Sequence, residues 1–423
     1  MPTFQTVRGM RDLLPEDAAA LNRVIAKARE TALLYGYKEV ITPVVEPYEL
    51  LSAKSGEEIR QRMFTFKDLG DRTVALRPEF TASIARLATT ALRNEPKPLR
   101  TFSVGSVYRY DEPQRGRYRE FWQSDFEVIG SSKPEADAET ILLTNSLMKA
   151  VGLRKYAFKL GHIGVLRGIL SQENVDDKTQ NAVLQRMDKK EYNEAFALMP
   201  QKCRAAVEGL LKLKNGDAFE TAEKIKAHVA GYSEAAASAE NLRAILELVT
   251  KSGCEIASVE PAFARGLEYY TGMIFEVYIP ELDIALGGGG RYDRLIEAFG
   301  GEATPATGVA HGLDRIALAI QAQKLASENK RTKRVAVVQV KEELKGDALR
   351  IAQMLRAAGV PVEFEVMGRK MAKALEDADK RQVDYVVIVG EKELQQNAVV
   401  LKDLAKRKQT VVAVSSLAEK IRS

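Results

Sequence analysis

Four arginines lie within eleven residues of one polar loop, "RYDEPQRGRYR", which contains Arg109, Arg115, Arg117 and Arg119. A guanidinium group is a planar fork that matches the oxygens of a phosphate, which an ammonium group does not. The loop therefore fits a clamp for phosphates. A mobile, charged surface loop has the same composition, so the loop alone leaves both interpretations open.

The strand that follows this loop places its polar residues on one side. In "REFWQSDFEVIG", Gln123, Asp125 and Glu127 alternate with apolar residues such as Trp122 and Phe126. Successive side chains of a strand point to opposite faces. The polar face is therefore either exposed to water or lines a polar cavity, and the pattern does not distinguish the two.

A third stretch, "RGLEYYTGMIFEVY", combines a polar half with a strand. Arg265, Tyr269 and Tyr270 come just before the alternation that begins at Met273. In "GGGGRYDRL", glycines indicate a backbone that passes close to another group, but neither phosphate-loop glycine motif is present. Arg315 of "GLDRI" lies at a predicted strand–helix junction, where a surface role is equally compatible.

The overall composition is that of a globular protein of two or three domains. The chain has 423 residues, of which 45% are hydrophobic and 29% charged. No apolar run approaches the ~20 residues of a membrane span, and the start of the chain lacks an apolar signal core. We therefore expect a cytoplasmic protein with no membrane partner.

The cysteines and histidines are too scattered to predict a metal site. Two cysteines and three histidines occur, far apart and without metal-ligand spacing. Ion pairs and hydrogen bonds are therefore the expected means of catalysis, and no protein metal ligands are predicted.

The elements expected to position these residues form an α+β pattern. Residues 16–36 are predicted to be an amphipathic helix, and "YKEVITPVVEP" a strand whose Pro43 indicates an edge, a bulge or a subunit contact. The next stretch predicts a strand over 73–77, a turn at Pro78 and then a helix. Two long paired strands are expected on either side of the arginine loop.

The second half of the chain predicts a helical insertion and a separate domain. Residues 169–248 are rich in Ala, Lys, Glu and Leu, and interrupt the strand-rich parts 1–168 and 249–325. Residues 326–332 are predicted to form a polar linker. Strand–helix alternation over 333–423 predicts a small α/β domain with a mostly parallel sheet.

The net positive charge is concentrated in this last segment. The whole chain carries 63 Lys/Arg against 58 Asp/Glu, and residues 333–423 carry 18 against 13, so the excess of five lies there. A solvated basic surface and a surface facing a polyanion are both compatible with this distribution.

These motifs and their order resemble the histidyl-tRNA synthetase family of class II aminoacyl-tRNA synthetases. "GYKEVITPVVEP", "VYRYDEPQRGRYREFWQSDFEVIG" and "GVAHGLDRIALAI" are similar to the three class II motifs. "RGLEYYTGMIFEVY" and "GGGGRYDRL" resemble the two stretches peculiar to the histidine enzymes, and "VRGMRDLLPEDA" and "LRPEFTASIAR" match too. The resemblance spans nearly the whole chain, although the helical insertion matches only in its position and its amino-acid composition.

The resemblance implies a fold and an activity. The fold is an α+β class II catalytic domain, an antiparallel sheet flanked by helices, with a helical insertion and a C-terminal α/β anticodon-binding domain. The activity is ATP-dependent activation of L-histidine to histidyl-adenylate and transfer to tRNA(His). Expected partners are therefore L-histidine, ATP, tRNA(His) and a second copy of the chain in a homodimer. Mg²⁺ is expected with ATP, without assigned ligands.

The resemblance also implies roles for individual residues. Tyr269 and Tyr270 would form the wall of the imidazole pocket, and Glu127 would accept a hydrogen bond from the ring. The ammonium group would be bound by Glu79, Thr81 and Gln123. Arginines would hold the reacting anions: Arg265 and Arg109 the α-phosphate beside the histidine carboxylate, Arg315 the distal phosphates, and Arg117 the nucleotide more generally.

Two further points follow from the resemblance. His311 stands where the third motif often has an apolar or aromatic residue, and a core histidine with satisfied hydrogen bonds is the expected role. The alternative function is a catalytically inactive, synthetase-like regulatory subunit of ATP phosphoribosyltransferase. That protein lacks the anticodon domain and commonly loses catalytic residues, whereas here the last domain and Arg109, Arg265 and Arg315 are present.

Overall fold

The computed structural model describes residues 4–53, 56–213, 216–264, 269–325 and 333–422. The chain divides into two compact units, Met1–Leu325 and Ala326–Ser423. Among the described residues, no helix is both long and apolar enough to cross a membrane.

The first unit is built on an eight-stranded sheet, accompanied by a three-stranded one. In the large sheet the strand order is β1-β5-β6-β11-β10-β9-β7-β8, and in the small sheet it is β2-β4-β3. The large sheet is antiparallel except at its edges, where the short strands β1 and β8 pair in parallel. The strands are β1 (Lys38–Glu39), β2 (Val45–Pro47), β3 (Thr65–Lys67), β4 (Thr73–Leu76), β5 (Leu99–Tyr108), β6 (Glu120–Ile129), β7 (Ala157–His162), β8 (Ser258–Val259), β9 (Met273–Ile279), β10 (Leu282–Arg291) and β11 (Ala306–Gly312).

Helices flank this sheet and share one apolar core with it. The helices are α1 (Pro15–Leu34), α2 (Tyr48–Ser52), α3 (Glu57–Arg60), α4 (Thr81–Thr89), α5 (Pro134–Ala150), α6 (Ile163–Gln172), α7 (Asp177–Asp188), α8 (Tyr192–Ala197), α9 (Gln201–Leu211), α10 (Ala218–His228), α11 (Ser233–Lys251), α12 (Leu295–Ala298) and α13 (Leu313–Ala322). Among the residues that the structure describes, helices α6 to α11 follow one another without an intervening strand. The boundaries predicted for an insertion, 169 and 248, stay a prediction.

The predicted strand "YKEVITPVVEP" is divided in the structure. Its residues form β1 and β2, which belong to different sheets, and Pro43 lies between them. Proline has no N–H to donate to a strand ladder, so the pairing with β5 cannot continue through it. The two long strands predicted around the arginine loop are confirmed as β5 and β6, which pair over their full lengths.

The second unit contains a five-stranded sheet in the order β13-β12-β14-β15-β16. The prediction of a mostly parallel sheet is wrong here, because only the pairs of β12 with β13 and with β14 are parallel. The strand β15 was missed, and the short connection 404–407 to β16 permits only antiparallel pairing. The elements are β12 (Val335–Gln339), α14 (Lys345–Ala357), β13 (Val362–Phe364), α15 (Met371–Lys380), β14 (Tyr385–Val389), α16 (Glu391–Gln395), β15 (Ala398–Asp403), β16 (Lys408–Ala413) and α17 (Leu417–Arg422).

Candidate active site

An open cleft in the first unit brings together most of the residues that the sequence singled out. The cleft lies over the middle strands of the large sheet, and we call it the central cavity. Its lining includes Glu79, Thr81, Arg109, Phe121, Gln123, Glu127, Tyr269, Tyr270, Tyr292 and Arg315, together with residues 285–288.

The polar face of β6 forms the floor of this cavity. Gln123, Asp125 and Glu127 expose only 7%, 1% and 2% of their surface, so the face does not point into water. Gln123 and Glu127 line the cavity, and the Oε1 atom of Gln123 is buried without a hydrogen-bond partner among the described residues. Buried polar atoms usually have a partner. The unpaired oxygen therefore indicates that a ligand donor belongs there.

Glu127 is prepared to act as a hydrogen-bond acceptor. Its Oε1 accepts a hydrogen bond from Thr81 Oγ1 at 2.8 Å, and its Oε2 accepts one from the hydroxyl of Tyr292. Burial raises the pKa of this carboxyl well above its usual range, although both hydrogen bonds oppose the rise. Gly308 faces Glu127 across β11 and β6, where any side chain would overlap the carboxylate.

The turn before α4 presents Glu79 to the cavity and is clamped from two sides. The Nε of Arg109 donates to the carbonyl of Pro78 at 2.9 Å, and the amide of Phe80 donates to Asp125 Oδ2 at 3.2 Å. Glu79 is buried and accepts a hydrogen bond from the hydroxyl of Tyr269 at 3.4 Å. Burial raises the pKa of Glu79, and the charge of Arg109 opposes that rise.

Three tyrosines form the aromatic wall of the cavity. The ring centroids of Tyr269 and Tyr270 are 4.9 Å apart, and Tyr292 meets Tyr269 edge to face at 5.6 Å. Such contacts fix ring orientation. Tyr292 was not predicted as a site residue. The only available signal was its place in "GGGGRYDRL", to which the resemblance gave no residue-level role.

Arg109 and Arg315 bring positive charge to the cavity from different elements. Arg109 follows β5, whereas Arg315 lies in the first turn of α13. The Nε of Arg315 donates to the carbonyl of Gly116 at 3.0 Å, and an Nη donates to the carbonyl of Ala285 at 2.9 Å. Arg315 thereby ties the arginine loop to β10 beside the cavity.

Comparisons with known proteins identify the family of the chain. The profile described as histidyl-tRNA synthetase matches residues 9–316, and the one described as anticodon binding domain matches residues 334–423. The chain belongs to the histidyl-tRNA synthetase family. The fold class predicted for it is thereby confirmed.

Curated relatives match this synthetase over nearly its whole length. "Histidine--tRNA ligase" of Methanocaldococcus jannaschii is 39% identical, with 98% of each chain covered, and that of Pyrococcus furiosus is 37% identical, also with 98% of each covered. A solved histidyl-tRNA synthetase from Nostoc sp. PCC 7120 has a TM-score of 0.79 at 24% identity, covering 100% of this chain and 99% of that one. A Bacillus halodurans structure titled ATP phosphoribosyltransferase regulatory subunit/histidyl-tRNA synthetase has a TM-score of 0.77 at 25% identity, covering 92% and 99%.

Two of the synthetase residues predicted from the sequence do not appear in the cavity lining. Arg265 lies outside the residues that the structure describes. Arg117 lies in the arginine loop, where its amide and carbonyl form a bridge with Gln114 and 40% of its side chain is exposed. Its Nε is 3.9 Å from Asp111. The roles assigned to both arginines therefore stay predictions.

The prediction that His311 is a core histidine is confirmed. It is fully buried on β11, with Nδ1 3.3 Å from Ser124 Oγ and Nε2 2.9 Å from Thr144 Oγ1. Its ring meets Phe126 edge to face at 5.4 Å. Burial lowers the pKa of His311 to about 3, so it stays neutral at physiological pH.

Within the described ranges, no three His, Cys, Asp or Glu side chains are grouped so that they could hold a metal ion. Magnesium in nucleotide sites is commonly bound by one or two carboxylates together with phosphates and water. The described part of the synthetase thus offers no all-protein cage for Mg²⁺.

Proposed function

We propose that this chain activates L-histidine with ATP and transfers the histidyl group to tRNA(His). The observation that carries the proposal is the buried Glu127 at the floor of an aromatic cavity, with hydrogen bonds from Thr81 and Tyr292 fixing it. A buried acceptor selects a side chain that can donate to it. An isostere without a donor leaves a remaining lone pair of this buried carboxyl unsatisfied.

Histidine would occupy the central cavity in one orientation. Its imidazole donates to Glu127 and lies against the wall formed by Tyr269 and Tyr270. Its ammonium group lies toward Glu79, Thr81 and Gln123. The ammonium has three donors, and the unpaired Oε1 of Gln123 and the buried Glu79 offer acceptors.

The carboxylate of histidine would then meet ATP at the arginines. One carboxylate oxygen attacks the α-phosphorus, a new P–O bond forms, and the bond to pyrophosphate breaks. Charge shifts over the phosphoryl oxygens during this step, so fixed cations and positioning contribute most of the catalysis. We assign Arg109 and Arg265 to the α-phosphate, Arg315 to the distal phosphates and Arg117 to the nucleotide. Mg²⁺, bound with ATP, would neutralise the distal phosphates.

The second unit would contact the anticodon at one edge of its sheet. The parallel strands β12, β13 and β14 end together, and α14 and α15 cover opposite faces. Ligands of such sheets bind outside the carboxyl ends of the strands. There Val366 and Met367 expose 81% and 67% of their surface, and the Oε1 of Gln339 is buried without a hydrogen-bond partner among the described residues.

These features suit an unstacked nucleobase, which presents both an apolar face and hydrogen-bonding edges. The excess of positive charge in residues 333–423 suits the phosphates of the same RNA. The division into a catalytic domain (1–168 and 249–325), an insertion (169–248), a linker (326–332) and an anticodon-binding domain (333–423) is part of this proposal. A cytoplasmic location is expected for such an enzyme.

A homodimer is proposed from an apolar surface of the small sheet. Val45 and Phe66 lie on the same face of β2-β4-β3, because their partners on β4, Leu76 and Val74, share one face. Val45 and Phe66 are 42% and 46% exposed, and the nearby Ile41 is 90% exposed. A clustered apolar surface of this kind indicates a protein interface. The proposed occupant is a second copy of the chain.

The regulatory-subunit alternative has less support. Such a protein needs neither the nucleotide arginines nor an anticodon-binding unit. Here Arg109 and Arg315 line the cavity, and the second unit matches the anticodon-binding profile. The curated relatives matched over nearly the full length are histidine--tRNA ligases.

The deciding experiment is ATP–pyrophosphate exchange with each standard amino acid. We expect exchange with L-histidine alone. Arg265→Ala should lower its rate by roughly 10²–10³, the usual cost of removing a group aimed at transition-state charge. Exchange with a different amino acid would contradict the proposed roles of Glu127 and the tyrosines. No exchange from folded protein would favour the regulatory alternative.

A further inference from the structure

Asp125 is a buried carboxyl that has no role in the mechanism above. It lies on β6 between Gln123 and Glu127 and exposes 1% of its surface. Its Oδ2 accepts the amide hydrogen of Phe80, the residue directly after Glu79. Its Oδ1 is buried and has no hydrogen-bond partner among the described residues. A half-satisfied buried carboxylate is costly.

Together with its neighbours, Asp125 belongs to a group of three carboxyls and two guanidiniums, so the carboxyls are in excess by one. From the turn before α4 come Glu79 and Arg77, from the end of β5 comes Arg109, and from β6 itself comes Glu127. The neighbouring strands β5 and β11 place the uncharged Ser103 and Ala310 opposite it. Burial and the nearby Glu79 raise the pKa of Asp125 to about 7, although Phe80 and the two arginines oppose the rise.

We propose that Asp125 is a positioning residue that acts through Glu79. In the empty cavity this pair of carboxyls retains a proton, and binding of the histidine ammonium releases that proton to solvent. The inference rests on the proposed function, since it takes histidine as the ligand. The balance is simple, because a protonated carboxyl plus an ammonium ligand gives a carboxylate–ammonium pair and one free proton.

The physical reason is the repulsion between carboxylates that lie close together in a buried site. Buried carboxyls that repel each other cannot all ionise, so one of them holds a proton. An ammonium group placed against Glu79 supplies compensating positive charge, and both carboxyls can then ionise. Asp125 also accepts the hydrogen bond of the Phe80 amide and so fixes the turn that carries Glu79 and Thr81. Its charge affects the ionisation of Glu79, and its hydrogen bond affects the position of Glu79; both effects therefore act on the ligand through Glu79.

The substitution Asp125→Asn separates these two effects. The amide oxygen of asparagine can still accept the Phe80 hydrogen bond, but the residue no longer titrates. Glu79 then loses the neighbour that opposes its ionisation. We expect histidine still to bind, with less release of protons near pH 7.

The test is calorimetric titration of histidine into the whole protein at pH 7 in buffers of different ionisation enthalpy. The dependence of the heat on the buffer gives the number of protons released. Because the pKa of Asp125 without ligand is about 7, about half of the molecules hold the proton at pH 7. The wild type should therefore release roughly half a proton more than Asp125→Asn when histidine binds. Protons from the histidine imidazole are the same for both proteins and cancel. Glu365→Gln, which removes a buried carboxyl in the second unit, is the control and should match the wild type.

A pH profile provides a second readout. The KM for histidine should rise more steeply below pH 7 in the wild type than in Asp125→Asn. If Asp125→Asn does not fold, titration of the wild type with two analogues of histidine tests the proposal instead. Histidinol, which keeps the ammonium, should release the extra proton, and imidazolepropionate, which lacks it, should not.

The outcomes distinguish this inference from the proposed function. Histidine binding with equal proton release in the wild type and Asp125→Asn overturns the inference alone. Equal release with histidinol and imidazolepropionate overturns it as well. A wild type that does not bind histidine overturns the proposed function together with this inference.

Discussion

At the scale of single residues, the hydrogen bond from Tyr292 to Glu127 should determine how well histidine binds. Tyr292→Phe removes the hydroxyl and leaves a buried carboxylate oxygen without its donor. A buried acceptor left without its donor costs about 1–3 kcal/mol, and Glu127 then loses a contact that holds it toward the ligand, so the KM for histidine should rise roughly tenfold. Pyrophosphate exchange at varied histidine concentrations measures it.

Tyr156→Phe is the matched control for that change. Tyr156 also donates a hydrogen bond from its hydroxyl, to Asn145 at 2.7 Å, but it does not line the central cavity. Its KM for histidine should equal that of the wild type. An unchanged KM in Tyr292→Phe would contradict the selective role given to Glu127.

His311 should make the stability of the protein depend on pH. Its folded pKa is lowered by burial to about 3, below the ordinary value of 6.5. Below pH 6.5 the unfolded chain binds a proton that the folded chain does not, so the free energy of unfolding falls as pH falls from 6.5 toward 3. The loss approaches roughly 1.4 kcal/mol for each pH unit.

His311→Gln tests this pH dependence, because glutamine does not titrate but can still bond to Ser124 and Thr144. Thermal unfolding at pH 7.5 and pH 5.5 should show a smaller loss of stability in the variant than in the wild type. An equal loss in both proteins would mean that His311 is not the group responsible.

Residue patterns predicted the polar side of this site better than its aromatic side. The alternation in β6 placed Gln123 and Glu127 on one face, since strand periodicity fixes which side chains share a face. Whether that face met water or a cavity depended on elements distant in the chain. Tyr292 escaped prediction because its contact with Glu127 exists only once β10, β11 and β6 are paired.

At the scale of elements, the register between β11 and β6 makes room for the acceptor. Gly308 faces Glu127, and a methyl group there would overlap the carboxylate and the backbone of Phe126. Because both strands lie inside the sheet, neither can move aside at low cost. Gly308→Ala should therefore displace the Glu127 side chain and lower histidine-dependent exchange by roughly 10²-fold, the order found for misplaced reacting groups.

Gly231→Ala is the control for that substitution, since a side chain there meets only open space. Its exchange rate should equal that of the wild type. Circular dichroism of Gly308→Ala then separates a displaced carboxylate from an unfolded chain. A folded Gly308→Ala protein with full activity would show that the position of Glu127 does not matter.

The type of an element was predictable where the hydrophobic periodicity was strong. The pairing of strands was less predictable, because it depends on the connections between them. The sequence predicted the long pair β5 and β6, but not that Pro43 would divide one predicted strand between two sheets. In the second unit β15 was missed, so the parallel character of the sheet was overstated. Pairing direction follows from which strands are joined by short connections, and a missed strand removes that information.

At the scale of the whole molecule, amino-acid activation and tRNA recognition are assigned to different compact units. Changes at the carboxyl edge of the second sheet should therefore affect charging of tRNA without affecting pyrophosphate exchange. Lys370 is an exposed residue at this edge, between β13 and α15. Lys406 is also exposed, but it lies at the opposite edge. It follows Asp403, which pairs with Tyr385 at the start of β14, and β14 begins at that opposite edge.

Lys370→Ala should raise the KM for tRNA(His) and reduce the dependence of log affinity on log salt by about one, the value for one lost phosphate contact. Lys406→Ala removes the same charge from the same unit, so it keeps the net charge matched and should leave the slope closer to that of the wild type. Histidine-dependent pyrophosphate exchange should be unchanged in both, because the reaction needs no tRNA. Equal effects of the two variants would mean that RNA responds to the overall charge of the unit rather than to the proposed edge.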